Sequence, residues 1–278
     1  MKIYSPISYI GAKTNGAKQI EKYLPSDINS MVSIFCGGAS FEFYCERVCG
    51  INVTHAYDLF PPLINFFQTI SNETKKLKLI EYVSKMVCPN GVGKEKFDEL
   101  KRKYYKHVFN NEKQFDDFEL ACNFFILHSI SFFPDTTKGK YCYHWDKDRE
   151  SRIKPKLKRI FDFKTKISFQ TSLFEDSIVK HTNDFLYLDP PYVLDGVDLK
   201  TALYNGHDTF NHQKLAELLK QHKGKFLLSY GDCKLVRELY KDFNIEIVDW
   251  HHCMEKVLSS KGRKEKDFRF KEVVIKNY

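Results

Sequence analysis

The stretch "LYLDPPYVL" (residues 186–194) ends an apolar run on a carboxylate, fixes the next two residues as prolines and then presents a tyrosine. Proline has no backbone donor, so neither Pro190 nor Pro191 can continue a sheet ladder. Asp189 therefore marks the end of a strand, and Tyr192 lies just past a stiff corner. Suppose the substrate at that corner is an exocyclic amine of a nucleobase. The lone pair of such an amine is delocalised into the ring, which makes the nitrogen a poor nucleophile. A carboxylate accepting one N–H, and the Pro190 carbonyl accepting the other, draw electron density back onto nitrogen. Tyr192 offers a flat face for the base, worth ~1–3 kcal/mol per stacked base. Asp189, Pro190 and Tyr192 are the expected catalytic set. If the electrophile is a sulfonium methyl, already activated, positioning supplies most of the rate.

A second constellation lies upstream. Phe35-Cys36-Gly37-Gly38-Ala39-Ser40 falls between a strand-like run and a helix-like run, and Asp58 closes the next strand, 20 residues after Gly38. A doubly wound sheet puts a glycine turn there so that a ligand can approach the backbone, and an acid there to accept both ribose hydroxyls. Neither the G-x-G-x-x-G fingerprint nor a GxxxxGK[ST] phosphate loop is present. A pyrophosphate is poorly provided for, and S-adenosyl-L-methionine (AdoMet), with ribose and adenine but no phosphate, suits the site better.

The elements that must hold these residues follow an α/β order. "MVSIFC" (31–36) and "INVTHAYD" (51–58) read as strands around the helix-like "FEFYCERVCG". "KISFQ" (166–170), "DFLYL" (184–188) and "KFLLSY" (225–230) continue the sheet, with helices over 211–222 and 233–243. Ser172 and Glu175 stand at capping-box spacing. "IEIVDW" and "FKEVVIKNY" read as antiparallel edge strands joined by the basic loop "SSKGRKEK" (259–266). Residues 71–165 differ: helical periodicity over 72–87, 94–108 and 113–131, a hairpin arm at "YCYHW", and the basic "RIKPKLKRIFDFK" (152–164). That segment holds 21 of the 44 Lys and Arg but 14 of the 36 Asp and Glu, so most of the net charge of +8 lies in it. A basic insert in a near-neutral frame predicts a polyanion partner.

The eight cysteines form no C-x-x-C pair, which argues against a zinc knuckle and for reduced thiols. No run of ~18 apolar residues and no signal-peptide pattern is present, which predicts an intracellular chain, not secreted and without a membrane span.

Taken together, these segments resemble the Dam-type N6-adenine-specific DNA methyltransferases, in the group ordered cofactor motif, recognition domain, DPPY. "SYIGAK" (8–13) is similar to that family's N-terminal motif, "FCGGASFEF" (35–43) to its glycine motif, "AYDL" (56–59) to its ribose-binding segment, and "LDPPY" (188–192) is its catalytic motif unchanged. Tyr9 stands where tryptophan is common, and Ala39 where a second glycine is usual. The resemblance implies a Rossmann-like AdoMet-dependent methyltransferase sheet from 1–70 and 166–278, with a mainly helical target-recognition insert at 71–165. It implies that Tyr9, Lys13, Phe35, Gly37, Gly38, Asp58, Phe174 and Asp189 hold AdoMet. It also implies site-specific methylation of adenine N6 in double-stranded DNA, a base flipped out of the stack, and a possible restriction endonuclease acting on the same site. The turn near 134–140 then enters a DNA groove, with Lys138, Lys140, Tyr141 and Arg149 as contacts. The family's GATC-reading segment is not spelled out, so that target is not carried over. Methylation of cytosine N4 or of RNA, and a catalytically silent DNA-binding relative, remain the alternatives. No metal site is expected.

Overall fold

The computed structural model describes residues 5–9, 11–87, 93–131, 149–193, 210–248 and 271–278, with backbone only at 149–152. From the N-terminus, α1 (Ala17–Glu21) leads to β1 (Ser30–Ile34), α2 (Ser40–Tyr44), a π-helical turn over Cys45–Cys49, and β2 (Asn52–Asp58). The helices α3 (Pro61–Ser71), α4 (Glu73–Val87), α5 (Lys94–Phe109), α6 (Asp117–Ile130) and α7 (Arg149–Phe161) follow. The chain then alternates β3 (Ser168–Thr171), α8 (Phe174–Lys180), β4 (Leu186–Leu188), α9 (His212–Gln221), β5 (Phe226–Gly231), α10 (Lys234–Leu239), β6 (Asn244–Val248) and β7 (Glu272–Lys276).

The strands form one seven-stranded sheet in the order β3-β2-β1-β4-β5-β7-β6. β1 runs parallel to β2 and β4, and β4 to β5, while β7 is antiparallel to both β5 and β6. This is the expected α/β class. One detail differs from the sequence reading: β7 does not lie at the edge but inserts between β5 and β6. Its composition explains the place, because Val273, Val274 and Ile275 are all fully buried, as an inner strand covered on both faces requires. β4 is only three residues long because the prolines stop it, yet it is central and wholly buried.

The strand order reverses between β1 and β4, with Ile34 opposite Leu188. Open α/β sheets bind ligands outside the carboxyl ends of strands at such a reversal. Here that edge carries the glycine turn after β1, Asp58 at the end of β2 and Asp189 just past β4.

Internal packing divides the described chain into a sheet unit (within 1–5, 10–59 and 170–278) and a helical unit (within 6–9 and 60–169). α6 is buried on all sides at the centre of the helical unit. It starts on a capping box: the Glu119 N–H donates to Asp116 Oδ1 at 2.7 Å, and the Asp116 N–H to Glu119 Oε2 at 3.1 Å. Phe66 stacks on Phe125 at 5.6 Å and Phe67 on Phe169 at 4.5 Å, the kind of aromatic core that the Phe-rich sequence favours. By contrast, the expected capping box at Ser172 and Glu175 does not form. α8 begins at Phe174 with Leu173 as N-cap, and the Ser172 hydroxyl donates to the Leu173 carbonyl.

One glycine fixes two loops of the sheet unit. A Cβ on Gly224 would lie 2.3 Å from the Asp184 carbonyl oxygen and 2.8 Å from that of Asn183, both backbone atoms. Gly224→Ala is therefore expected to destabilise the protein by about 2–3 kcal/mol, lowering Tm by roughly 4–10 °C in a calorimetric melt. An unchanged Tm would mean that the loops part without cost.

Candidate active site

β1 delivers the chain into a loop that is left-handed at alternate residues: Phe35 (φ 66°), Gly37 (φ 47°) and Ala39 (φ 51°). That conformation costs a non-glycine residue roughly 1–2 kcal/mol, and such strain gathers at functional sites. The geometry explains why the sequence pattern favours small residues here. Ala39, the departure from that pattern, adopts the left-handed conformation as N-cap of α2. The Gly37 N–H donates to Asp58 Oδ2 at 2.9 Å, and the Cys36 N–H to the Tyr57 carbonyl at 2.8 Å. The two features singled out in the sequence, glycine turn and acid, are thus in direct contact. A carboxylate has about four lone-pair positions, so accepting Gly37 leaves capacity for ribose hydroxyls.

Beside the turn, Phe35 meets Phe174 at 5.5 Å and Phe210 at 5.5 Å, and Phe174 meets Phe210 at 5.2 Å. The three rings make an apolar wall. Phe35 and Phe174 are legible in the sequence. Phe210 is not, because it enters from just before α9, 36 residues after Phe174, with no motif around it. A carboxylate with spare lone pairs beside an aromatic wall fits the nucleoside part of such a cofactor.

At the DPPY corner, the Asp189 N–H reaches the Ile34 carbonyl at 3.4 Å, which ties the corner to the end of β1. Pro190 is buried. Asp189 Oδ1 lies 2.8 Å from Lys13 Nζ and accepts the Tyr192 hydroxyl at 2.9 Å. Burial pushes the Asp189 carboxyl up to about 6; Lys13 pulls it down and Glu272 pushes it further up. Burial alone would lower the Lys13 ammonium, but Asp189 and Glu272 outweigh it and hold it above the usual lysine range. Glu42 of α2, bonded to the Ser33 hydroxyl at 2.5 Å, is pushed up to about 7, chiefly by burial.

Tyr192 differs from the sequence expectation. The residue is only 7% exposed and its ring stacks near Tyr230 at 5.7 Å, so little flat face is presented in this structure. Its hydroxyl instead gathers Lys13 Nζ (2.6 Å), Ser229 (3.0 Å), Asp189 and Glu272. Glu272 was not legible: it lies 80 residues beyond Tyr192 and joins the site only because β7 pairs with β5.

Tyr9 groups with the helical unit, where its ring stacks on His128 at 6.2 Å. Lys138, Lys140 and Tyr141, the hairpin arm and the 259–266 loop lie outside the described residues, and Arg149 is described by backbone only. Part of the base in the helical unit has structural work. Lys76 is buried, donating to Glu73 at 2.9 Å and to the Phe163 carbonyl at 2.9 Å. Lys85, Lys103 and Lys158 pair with Glu81, Glu99 and Asp162. Lys156 and Arg159, not singled out from sequence, line a cavity of about 150 Å³ with His128 and Ser129. α7 itself was not expected, because Pro155 interrupts its pattern. Among the described residues, no group of three or more His, Cys, Asp or Glu could hold a metal, and no helix is long and apolar enough to cross a membrane.

The chain is 26% identical over 254 residues to the modification methylase StsI of Streptococcus sanguinis, covering 82% of this chain and 35% of that enzyme. It is 23% identical to the type II methyltransferase M.CviBI of Paramecium bursaria Chlorella virus NC1A, covering 98% of each. It is 25% identical to the type II methyltransferase M.FokI of Planomicrobium okeanokoites, over 99% of this chain and 43% of the relative. The chain thus spans about a third of the StsI enzyme and nearly all of M.CviBI. Residues 9–254 match the model of the D12 class N6 adenine-specific DNA methyltransferases, and the chain belongs to that family.

Proposed function

We propose that the protein transfers a methyl group from AdoMet to the N6 amine of an adenine rotated out of double-stranded DNA, at a defined sequence. The observation that carries this reading is the position of Asp189: past the end of β4, tied to β1, on the sheet edge that also holds the Gly37–Asp58 contact. Bound there, AdoMet would supply a methyl already activated by its sulfonium. Asp58 accepts the ribose hydroxyls while bracing the Gly37 turn. Phe35, Phe174 and Phe210 cover the adenine of the cofactor. Asp189 accepts one N–H of the target amine, and the Pro190 carbonyl the other, so that the lone pair is localised toward the methyl. Asp189 must be ionised for this, so the rate rises through the pH at which its carboxyl titrates.

Reaching an amine inside a duplex costs a few kcal/mol of unstacking and unpairing. The basic helical unit supplies the phosphate contacts that offset this, and the turn near 134–140, with Lys138, Lys140, Tyr141 and Arg149, the groove contacts. Relatives of the chain are named as a modification methylase and type II methyltransferases, so a restriction endonuclease reading the same sequence is the partner we propose.

Incubation with methyl-labelled AdoMet and mixed-sequence duplex DNA, followed by nucleoside mass spectrometry, is expected to show N6-methyladenine. N4-methylcytosine alone, label confined to RNA, or cofactor binding with no transfer would each overturn the proposal in favour of a named alternative.

A further inference from the structure

The motifs at the corner account for one carboxylate, yet the structure holds two. Glu272 opens β7 opposite Gly231 of β5 and is 2% exposed. Its Oε1 lies 3.1 Å from Lys13 Nζ and accepts from the hydroxyls of Ser229 and Tyr192. One ammonium therefore bridges two carboxylates, Asp189 and Glu272. The protons can be assigned. The three N–H groups of Lys13 match Asp189 Oδ1, Glu272 Oε1 and the Tyr192 oxygen. Ser229 donates to Glu272. Tyr192 then has a single proton and two claimants, Asp189 Oδ1 and Glu272 Oε1. Glu272 competes with Asp189 for the same two donors. Were it absent, Lys13 and Tyr192 would both fall to Asp189, and a carboxylate so engaged is a weaker acceptor for a substrate N–H.

We infer that Glu272 is a positioning residue for methyl transfer: it draws Lys13 and Tyr192 toward β7 and so preserves the capacity of Asp189 to accept the incoming amine. The inference rests on the reading that Asp189 receives that amine. Among the described residues, the charged and titratable groups that face Asp189 are Lys13 from the N-terminal segment, Glu42 from α2, Tyr187 from β4, Tyr192 from the corner and Glu272 from β7. Lys13 favours the ionised form of Asp189, and Glu272 opposes it.

Glu272→Gln thus has two separable effects. With a neighbouring negative charge gone, the acid limb of the single-turnover pH profile moves to lower pH by roughly half a unit. With Lys13 and Tyr192 drawn onto Asp189, the plateau rate falls about 10- to 100-fold. AdoMet affinity, read by calorimetry, falls by less than about tenfold, because Glu272 does not touch the Gly37–Asp58 pair and reaches the cofactor site only through Lys13 and Asp189. Glu272→Asp keeps the charge and shortens the reach: the acid limb stays in place and the plateau falls by a smaller factor. A wild-type plateau with an unmoved limb in Glu272→Gln would overturn the inference. If Glu272→Gln does not fold, Glu272→Asp decides: a plateau equal to wild type overturns it, and a reduced plateau with an unmoved limb supports it. A near wild-type rate in Asp189→Ala would instead overturn the underlying reading, whatever the Glu272 variants do.

Discussion

Asp189→Ala is expected to lower the single-turnover rate of methyl transfer by at least about 10³-fold, close to 4 kcal/mol of barrier, while AdoMet affinity changes by less than about tenfold. Two observations make the effect large. Asp189 directly follows β4 and is tied to the end of β1 through its own N–H, at the sheet edge that also holds the Gly37–Asp58 contact. The electrophile needs no further activation, so what remains for the protein is to hold the amine and localise its lone pair. The same structure predicts that the variant folds. Lys13 keeps Glu272 at 3.1 Å and Tyr192 at 2.6 Å when Asp189 is removed. A site of two carboxylates and one ammonium becomes one of each, so no buried cation is stranded, which is the usual reason such deletions unfold a protein. Asp189→Asn, of equal size but neutral, retains an acceptor and should lose about 10²-fold. Rapid-quench measurement with saturating AdoMet and DNA gives the rate, and calorimetry gives the affinity. A rate within tenfold of wild type would remove Asp189 from the chemistry.

The parts of the molecule legible in the sequence are those whose cause is local. Gly37 and Asp58 belong to one strand–turn–helix–strand unit, so their spacing alone puts them on the same edge, and the 2.9 Å bond between them follows from that. The helices at 73–87 and 94–109 are written in apolar periodicity, whereas the one at 117–130 is buried on every side and shows in the sequence as a long apolar run. α7 is hidden by Pro155, which a helix tolerates only where surrounding contacts make up for the lost backbone bond. Ser172 and Glu175 have the spacing of a cap but not its function, because the Ser172 N–H is already taken by the Asp58 carbonyl at 3.2 Å. What no local pattern can show is which distant strand arrives next to the corner. β7 was recognisable as a strand, yet only its insertion beside β5 brings Glu272 to Lys13 and turns the Tyr192 hydroxyl inward. The stacking role expected of Tyr192 was a statement about its ring. The structure adds one about its oxygen, and the two depend on different neighbours.

Asp58→Ala is expected to weaken AdoMet binding about 100-fold, with a smaller effect on the transfer rate once the cofactor is saturating. Two losses combine. A carboxylate accepting ribose hydroxyls contributes about 1.5–3 kcal/mol through hydrogen bonds to a charged group. The second loss is conformational: the Gly37 N–H loses its acceptor in a turn whose neighbours, Phe35 and Ala39, are held left-handed against their preference. With that anchor gone, the turn relaxes toward conformations that do not match the cofactor, and binding must restore it. Asp58→Asn separates the two terms. Its side-chain carbonyl can still accept the Gly37 N–H, so the turn survives while the charge is lost, and affinity should fall only about tenfold, or 1.4 kcal/mol. Calorimetric titration of the three proteins with AdoMet tests the ordering. Equal affinities for Ala and Asn would show that the turn does not depend on its anchor, and wild-type affinity in both would place the ribose elsewhere on the sheet edge.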